Sequence, residues 1–288
     1  MASMRDIKRR KVSIQSTQQI TKAMKLVSTV KLQKAKAKAE KTKDYFDCMY
    51  DTVSNVLART TNLNHPFLNS GESGKKAIIV ITSNRGLAGG YNNNIVKLVT
   101  SSGFDKDNSL IYAIGRKGEE ALDKRGYTIE ESLNDMIEAP VYADAMGLCG
   151  RLLAGFSEGK ISEIYLAYTA FKNTVVHEPK LLKLLPVEAN NNSEELEEDK
   201  TESTPMNFEP EDDEALDLII PKYITSLIYG GMVEAVASEN GARMQAMDSA
   251  TSNATEMIED LTLMYNRARQ GSITQELTEI IAGANAIS

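Results

Sequence analysis

Several residue types are scarce in this chain of 288 residues: tryptophan is absent, aromatic residues make up 6%, and there are only two cysteines and two histidines. Cys48 and Cys149 are too few and too far apart for a disulfide framework or a zinc site, so we expect two reduced thiols. His65 and His177 lie near prolines, and we expect both at the surface. Any core must rest on Leu, Ile, Val, Ala and Met, which favours helix packing over an aromatic β-sandwich.

Long hydrophobic runs are also missing. The longest aliphatic stretches, such as residues 77–81, are far shorter than the roughly 20 residues that a membrane-spanning helix needs. The first ten residues carry charges where a signal peptide would have its apolar core. We therefore expect no membrane-spanning segment and no export by that route.

The net charge of −7 hides an uneven distribution of charge along the chain. Residues 1–43 hold thirteen basic residues and two acidic ones, a net +11, whereas residues 190–214 hold eleven acidic residues and one lysine, a net −10. The N-terminal segment is therefore suited to anionic partners. We interpret the acidic segment as a solvated linker.

The N-terminal segment contains neither proline nor glycine from residue 3 to residue 57. Its apolar positions have the spacing of one helix face and include Ile7, Ile14, Ile20, Met24, Val27 and Val30, then Ala35, Ala37 and Ala39 between lysines. This pattern predicts one long amphipathic helix. We expect it to end before Asn64, His65 and Pro66, because proline disfavours helix in the residue before it.

The C-terminal segment has the strongest periodicity in the chain. Seven positions with a mean spacing of 3.5 residues predict a coiled-coil seam: Met247, Ala250, Ala254, Met257, Leu261, Met264 and Ala268. The segment contains one proline, Pro221, which we expect near the first turns of a helix, where proline is tolerated. A helix over residues 214–286 would have 73 residues and a length of about 110 Å.

The middle of the chain alternates short β-rich runs with helical patterns, which predicts an α/β domain with a largely parallel sheet. The predicted segments are strands at 77–82, 110–114 and 163–168, and helices near 93–101, 116–124 and 143–157. The glycine-rich residues 86–90 follow the first strand but lack the spacing of a dinucleotide fingerprint. We interpret them as a tight strand-to-helix turn, with nucleotide binding as the open alternative.

The apolar stripe of each long helix has to be covered over its whole length. The two helices most simply pack on each other in antiparallel orientation, because the middle domain already brings their ends together. The predicted fold is a long antiparallel α-helical coiled coil plus a Rossmann-like α/β middle domain inserted between the N- and C-terminal helices. Its segments are a coiled-coil helix (1–60), the α/β domain (75–188), an acidic linker or insertion (189–213) and a second coiled-coil helix (214–288).

Several stretches, in the right order along essentially the whole chain, resemble the γ subunit of F-type ATP synthases. The most specific are ITKAMKLVS (20–28), SNRGLAGGYN (83–92), ASENGARMQAM (237–247), YNRARQ (265–270) and ITQELTEI (273–280). The resemblance implies a central-stalk rotor subunit that transmits rotation of an ion-driven membrane ring to a catalytic hexamer, for ATP synthesis or for hydrolysis-driven ion pumping.

The resemblance also implies the partners and the location. The partners are the α and β subunits of the hexamer, the ε subunit and the membrane c-subunit ring, with no nucleic acid and no small-molecule substrate. The subunit itself is expected to be non-catalytic, without cofactor or metal. The implied location is peripheral, on the cytoplasmic face of a bacterial cell membrane.

The family's contact residues can be carried over position by position. Contacts with the hexamer are implied for Lys22, Met24, Lys25, Arg269, Gln270, Thr274, Glu276, Ile280 and Ile281. Contact with the ring is implied for Phe208, Glu209 and Pro210, which match the family's aromatic-Glu-Pro stretch before the long helix. The small and apolar C-terminal residues 273–288 are an unlikely free surface and are expected to lie inside another protein.

Two alternatives belong to other classes of protein. A soluble α/β nucleotide-binding enzyme would use residues 86–90 for its cofactor and the long helices for oligomerisation, and the isolated chain would bind nucleotide tightly. A binder of nucleic acid or anionic membranes would use the lysine cluster of residues 34–43. The lack of interleaved aromatic residues before Tyr45 counts against base stacking.

Overall fold

The protein is described here from a computed structural model, which covers residues 4–59, 65–69, 74–187 and 212–287. Its elements in chain order are α1 (Met4–Arg59), β1 (Lys75–Ile81), α2 (Tyr91–Ser101), β2 (Ser109–Ile114), α3 (Arg116–Asp123), β3 (Thr128–Ser132), α4 (Tyr142–Ser157), β4 (Ile161–Phe171), β5 (His177–Leu185) and α5 (Asp212–Ile287). Short 3-10 helices occupy Pro66–Leu68 and Asn134–Ile137. The acidic segment 189–211 lies outside the described residues.

The five strands form one sheet in the order β3-β2-β1-β4-β5. Strands β1 to β4 are parallel to their neighbours, and β5 is antiparallel to β4. The three predicted strands are the three central ones, which are apolar because helices cover both faces of the sheet. Sequence analysis missed β3 and β5, whose alternating charged residues reflect their position at the two edges.

Each face of the sheet has its own hydrophobic core. On one face, α4 and the first half of α5 cover Ile79, Ile81 and Leu166, and the apolar side chains of α5 in this core include Ile220, Ile224 and Ile228. On the other face, α2 and α3 cover Ile78, Val80 and Ile111 through residues such as Ile95 and Leu122. The first half of the C-terminal helix is therefore part of the domain core.

Two glycines of α5 allow this helix to lie close to the sheet. A Cβ atom added at Gly231 would lie 3.0 Å from Leu166 Cδ2, and one added at Gly241 would lie 2.6 Å from His177 Cε1. Both positions therefore need a residue without a side chain. Each glycine lowers the helix propensity by about 1 kcal/mol relative to alanine, and in return it lets the helix pack closely on the sheet.

Pro221 lies inside α5, further from the start of the helix than the sequence suggested. Its missing N–H leaves the carbonyl of Asp217 without the usual helical hydrogen bond. The carbonyl of Pro221 accepts a hydrogen bond from Thr225 Oγ1 at 2.7 Å. α5 also contains one window of residues that is long and apolar enough to cross a membrane by composition, but 56% of that window is buried inside the protein, as expected for a core helix.

The chain divides into two compact units, one made of Met1–Thr29 with Arg243–Ser288 and the other of Val30–Ala242. The first unit is a pair of helix segments. As the α1 partner advances from Gln18 to Lys25, its α5 partner recedes from Thr255 to Asp248, so the two segments are antiparallel. The predicted antiparallel pairing is therefore present in this unit, whereas the first half of α5 packs in the domain core instead of continuing the coiled coil.

The seam of this helix pair differs in part from the predicted one. On α5, Met247, Ala254 and Leu261 are buried as expected, but Met264 is 56% exposed, and the adjacent Tyr265 is the partly buried residue. Met257 is likewise exposed, beside the partly buried Ile258. The prediction was wrong at these positions because periodicity could not tell which of two adjacent nonpolar residues faces α1.

The same error affects α1. Ile20 and Val27, predicted on the buried stripe, are 60% and 57% exposed, and Val30 is also exposed. Besides Met24 and Thr29, the positions up to residue 29 that are at least partly buried run at alternating four- and three-residue steps: Ile7, Lys11, Ile14, Gln18, Thr21, Lys25 and Ser28. Most of these are polar, so hydrophobicity alone could not locate the seam.

The two histidines are not surface residues, contrary to expectation. The side chain of His65 is 3% exposed, with Nε2 lying 3.2 Å from Asp217 Oδ1 and Nδ1 accepting a hydrogen bond from the Phe67 backbone. His177 is half-buried and stacks on Phe171 with 6.0 Å between ring centroids. Burial lowers the pKa of His177, so the neutral ring is favoured.

Candidate interaction surface

The contacts between α1 and α5 in the helix pair are largely polar at its centre. Three pairs connect the helices: Gln18 Nε2 and Thr255 Oγ1 at 2.7 Å, the Thr21 and Thr251 hydroxyls at 2.8 Å, and Lys25 Nζ and Asp248 Oδ1 at 2.6 Å. All of these residues except Thr21 also line a groove, together with Gln19 and Lys22. We call the three pairs the polar ladder.

Large apolar side chains lie on the outside of the same helix pair. They are Val12, Ile20, Leu26 and Val27 on α1, and Met257, Leu263 and Met264 on α5. The seam already buries Met247, Ala254 and Leu261, so these outer side chains form an apolar surface that the helix pair itself does not use. Contiguous exposed apolar residues of this kind mark an interaction surface.

The two helices present surfaces of opposite charge. Between residues 4 and 29, α1 carries seven basic residues and Asp6 as its only acid. On α5, Glu256, Glu259 and Asp260 form an exposed acidic group. A partner that surrounds the helix pair would therefore face positive charge on the α1 side and negative charge on the α5 side.

The predicted contact residues of α1 have different environments. Lys22 is exposed, Met24 is partly buried, and Lys25 forms its ion pair with Asp248. Lys25 therefore has a partner within the chain, in addition to any contact with another subunit. No local pattern in the sequence indicates this pair, because the two residues are more than 200 positions apart.

The C-terminal end of α5 extends beyond the start of α1. Gln18 on α1 pairs with Thr255 on α5. In this antiparallel register, Met4, fourteen residues before Gln18, lies level with Arg269, fourteen residues after Thr255. Every described side chain from residue 273 to residue 285 is exposed, including Ile280 at 68%. Among the predicted contacts, those with no α1 residue opposite in this register are Gln270, Thr274, Glu276, Ile280 and Ile281.

Among the described residues, the hydrogen bonds of Glu276 and Thr274 are local to α5. Glu276 accepts a hydrogen bond from Ser272 Oγ at 3.3 Å, and the Thr274 carbonyl accepts one from Thr278 Oγ1 at 2.8 Å. Arg269 and Gln270 are exposed. The predicted ring contacts, Phe208, Glu209 and Pro210, lie outside the described residues.

The glycine-rich turn after β1 is closed by its own hydrogen bonds. Asn92 Oδ1 accepts hydrogen bonds from the backbone N–H and the hydroxyl of Ser83, and Asn84 Nδ2 donates to the carbonyl of Asn134. Leu87 and Gly89 have positive φ angles of 63° and 56°. The turn thus uses its polar groups for its own shape, which favours the tight-turn interpretation.

Within the residues that the structure describes, no group of three His, Cys, Asp or Glu side chains is placed to hold a metal ion. Cys149 is buried, with Sγ 3.6 Å from the Pro221 carbonyl, and Cys48 is exposed. Burial raises the pKa of the Cys149 thiol, which keeps it protonated and unreactive. The features best suited to function are therefore the outer surface of the helix pair and the end of α5.

The fold and this surface define a protein that acts through contacts along a helix pair. The family described as ATP synthase matches residues 3–287. The chain is 66% identical to the ATP synthase gamma chain of Lachnoclostridium phytofermentans, with 100% of both chains covered. It is 40% identical to the sodium-ion-specific ATP synthase gamma chain of Acetobacterium woodii, with 99% of each covered.

A solved structure shows the same fold. A chain in the Euglena gracilis mitochondrial ATP synthase, solved as OSCP/F1/c-ring in rotational state 3, has a TM-score of 0.67 at 19% identity, covering 99% of this chain and 94% of that chain. The chain therefore belongs to the ATP synthase gamma chain family, and the family identified from the sequence motifs is confirmed. The family match spans almost the whole chain, and the alternative of a soluble nucleotide-binding enzyme is not favoured.

Proposed function

We propose that this subunit transmits torque through the outer surface of its helix pair, which turns inside the hexamer of α and β subunits. The observation that carries the proposal is the set of large apolar side chains on the outside of the pair, including Ile20, Val27 and Leu263. Apolar residues at such positions stabilise the protein when a partner covers them. The exposed apolar residues at the end of α5 also need a partner to cover them.

The charge difference between the two helices supplies the asymmetry that a rotor needs. A rotating shaft changes the conformation of its surroundings only if it interacts differently with them at each angle. The basic side of α1 and the acidic group at Glu256, Glu259 and Asp260 provide such a difference. The attraction at each angle must remain similar in strength and screened by salt, because one much stronger contact would stop rotation.

We propose contact roles for the residues implied by the family. Lys22 and Lys25 face acidic loops of the hexamer, with Met24 beside them. Arg269 forms a bidentate pair with a carboxylate in the bore, where exclusion of water makes this contact stronger than a surface ion pair. Gln270, Thr274 and Glu276 add hydrogen bonds, and Ile280 and Ile281 form part of a hydrophobic bearing.

The remaining proposals concern the opposite end and the chemistry. Phe208, Glu209 and Pro210 meet the c-subunit ring, with the ε subunit as a further partner. The complex is placed on the cytoplasmic face of a bacterial membrane and moves protons or sodium ions. The subunit is non-catalytic, an assignment supported by the hydrogen bonds that close the turn at residues 83–92.

The substitution Arg269→Ala, in the complex assembled with its own α and β subunits, tests the contact role. ATP turnover is expected to fall by about tenfold, since hydrogen bonds to charged groups are worth roughly 1.5–3 kcal/mol. Arg267→Ala is the matched control, because residues two apart on a helix point in nearly opposite directions. Equal turnover in the wild type and Arg269→Ala, with the shaft held equally well, would remove Arg269 from the set of contacts.

A second measurement tests the non-catalytic assignment. The isolated full chain is incubated with ATP over a range of pH, and its nucleotide binding is measured by calorimetry. We expect neither hydrolysis nor stoichiometric binding. Tight binding of one nucleotide per chain would instead favour an enzyme that uses residues 86–90.

A further inference from the structure

On α1, the polar ladder uses seam positions, where a coiled coil usually places leucine or isoleucine. On α5, Thr251 is partly buried at the seam, whereas Thr255 and Asp248 are exposed beside it. We propose that the three pairs of the ladder, Gln18 with Thr255, Thr21 with Thr251 and Lys25 with Asp248, lock α1 and α5 against sliding along each other. In this role they are positioning residues, which make two helices twist as one body. The inference rests on the proposed function, because only a chain that carries torque needs such a lock.

The ladder connects the backbones of the two helices, and its members are neighbours along the seam. The Thr21 hydroxyl lies 3.0 Å from the Gln18 carbonyl, and the Thr251 hydroxyl lies 2.7 Å from the Met247 carbonyl. Each hydroxyl has one proton, so one threonine donates to the other, which in turn donates to its own helix backbone. On the α5 side, Thr255 Oγ1 accepts from Gln18 and donates to the Thr251 carbonyl at 3.0 Å.

Torque on a two-stranded coil tends to make the strands slide past one another, since any change in supercoiling changes their relative axial positions. An apolar seam resists sliding weakly, because the hydrophobic effect has no direction and depends only on the area buried. A hydrogen bond weakens steeply once its distance and angle leave a narrow range. Three successive polar pairs therefore resist shear more strongly than three apolar layers of equal area.

The ladder is a poor choice for stability alone. The Lys25 and Asp248 side chains are 39% and 58% exposed, and such ion pairs contribute little to folding. The Thr21 and Thr251 hydroxyls sit at a buried seam where apolar residues of the same shape would pack at least as well. Polar residues at seam positions are known to fix alignment at a cost in stability. Their presence in three consecutive layers is explained by mechanics.

The hydroxyl pair allows a clean test with Thr21→Val combined with Thr251→Val, which keeps shape and removes the hydrogen bonds. The variant is assembled with its own α and β subunits, the hexamer is immobilised, and a bead is attached to the α/β domain of the rotor. The thermal variance of the bead angle at a catalytic pause is inversely proportional to torsional stiffness. We expect a larger variance than in the wild type, with an unchanged or higher melting temperature.

The split between these two readouts separates the lock from an ordinary structural role. A lower melting temperature together with the larger variance would show that the hydroxyls merely hold the pair together, and would overturn the inference. An unchanged variance would also overturn it. Thr262→Val is the matched control on α5, because within the described part of the chain the Thr262 hydroxyl bonds only to the Ile258 carbonyl of its own helix, at 2.6 Å.

The ion pair gives an independent test by exchange of charge. Asp248→Lys places two lysines together and is expected to increase the angular variance, whereas Lys25→Asp with Asp248→Lys is expected to restore the wild-type value. Asp123→Lys controls for the change in net charge, because Asp123 is exposed and lies in α3, outside the helix pair. Failure of the double exchange to restore the variance would assign Lys25 to an intersubunit contact only and would overturn its place in the lock.

These outcomes are distinct from a failure of the proposed function. If the wild-type chain carries no rotation in the assembled complex, the proposed function fails and the bead shows no pauses at defined angles. If the wild type rotates and the variants retain its angular variance, the lock alone is overturned.

Discussion

The two halves of α5 differ in almost every property although they belong to one continuous helix. From Leu216 to Gly241 the helix lies in the domain core, with Ile220, Ile224 and Ile228 essentially inaccessible to water. From Arg243 onward most side chains are exposed, and the seam relies on threonine and aspartate as well as apolar residues. Both halves are comparably rich in methionine and aliphatic residues, so composition does not explain the difference.

The comparison shows that the same kind of apolar residue has two different uses in this protein. In the first half it holds the helix to the sheet. In the second half, Leu263 and Ile280 face outward, where they contribute to folding only weakly and are available to partners. Substitutions should therefore separate stability from assembly according to the half in which they fall.

The largest expected effect is the loss of a core residue in the first half. Ile228→Ala should lower the free energy of unfolding by roughly 2–5 kcal/mol, because Ile228 is fully buried and the cavity cannot fill. Leu263→Ala in the second half should change it by less than about 0.5 kcal/mol, since surface substitutions rarely do more. Urea unfolding of the isolated chain measures both values. Equal losses of unfolding free energy would contradict the distinction between the two halves of α5.

The same glycine-to-alanine substitution should have opposite effects on stability in the two halves of α5. Gly241→Ala should destabilise the protein by roughly 1–3 kcal/mol, because the new Cβ would overlap the His177 ring, which is held by its stacking on Phe171. Gly271→Ala should stabilise it by about 1 kcal/mol, because nothing lies within 4 Å and alanine has the better helix propensity. Thermal unfolding of the two variants checks this, and a stabilised Gly241→Ala would contradict the close approach of α5 to the sheet.

The smallest effect concerns the pH dependence of the first half. Burial raises the pKa of Glu234, whose carboxylate accepts a hydrogen bond from the Phe171 backbone at 3.2 Å. The folded protein then binds this proton more tightly than the unfolded chain, so stability is lost as pH rises from the ordinary glutamate pKa through the raised one. Glu234→Gln should flatten this slope while keeping an acceptor for Phe171.

Urea unfolding at a series of pH values above 4.5 measures that slope in the wild type and in Glu234→Gln. Glu256→Gln serves as the control, because Glu256 is exposed on the second half of the same helix. A steeper slope in Glu234→Gln than in the wild type would contradict the assignment. Tyr168, whose pKa is raised to about 12 by burial and by Glu234, stays protonated throughout the range and does not contribute.

The elements of this fold were predictable to different degrees for physical reasons. The central strands and the long helices have local signals, namely apolar runs and the absence of proline and glycine. The edge strands β3 and β5 do not, because one side of an edge strand faces solvent and carries charges. His65 was misassigned because its partner Asp217 is distant in sequence.

The residues of the candidate surface could be predicted from the sequence only where they belong to motifs that resemble the family. Residues 265–280 indicated the end of α5 through their resemblance to the family, and periodicity placed Met247, Ala254 and Leu261 correctly in the seam. Periodicity failed for Met264 and Ile20 because an apolar residue on a helix is as well suited to a partner as to a seam. The choice between these uses depends on the facing helix.

The sequence by itself determined the two long helices, their antiparallel pairing, the parallel centre of the sheet and the family, because these follow from local spacing and from motifs. Only the tertiary structure decided which face of each helix is the seam, that Lys25 meets Asp248, and that Gly241 must remain without a side chain. These features depend on pairs of residues brought together from distant parts of the chain. Their energies come from distance and direction, which a linear pattern does not contain.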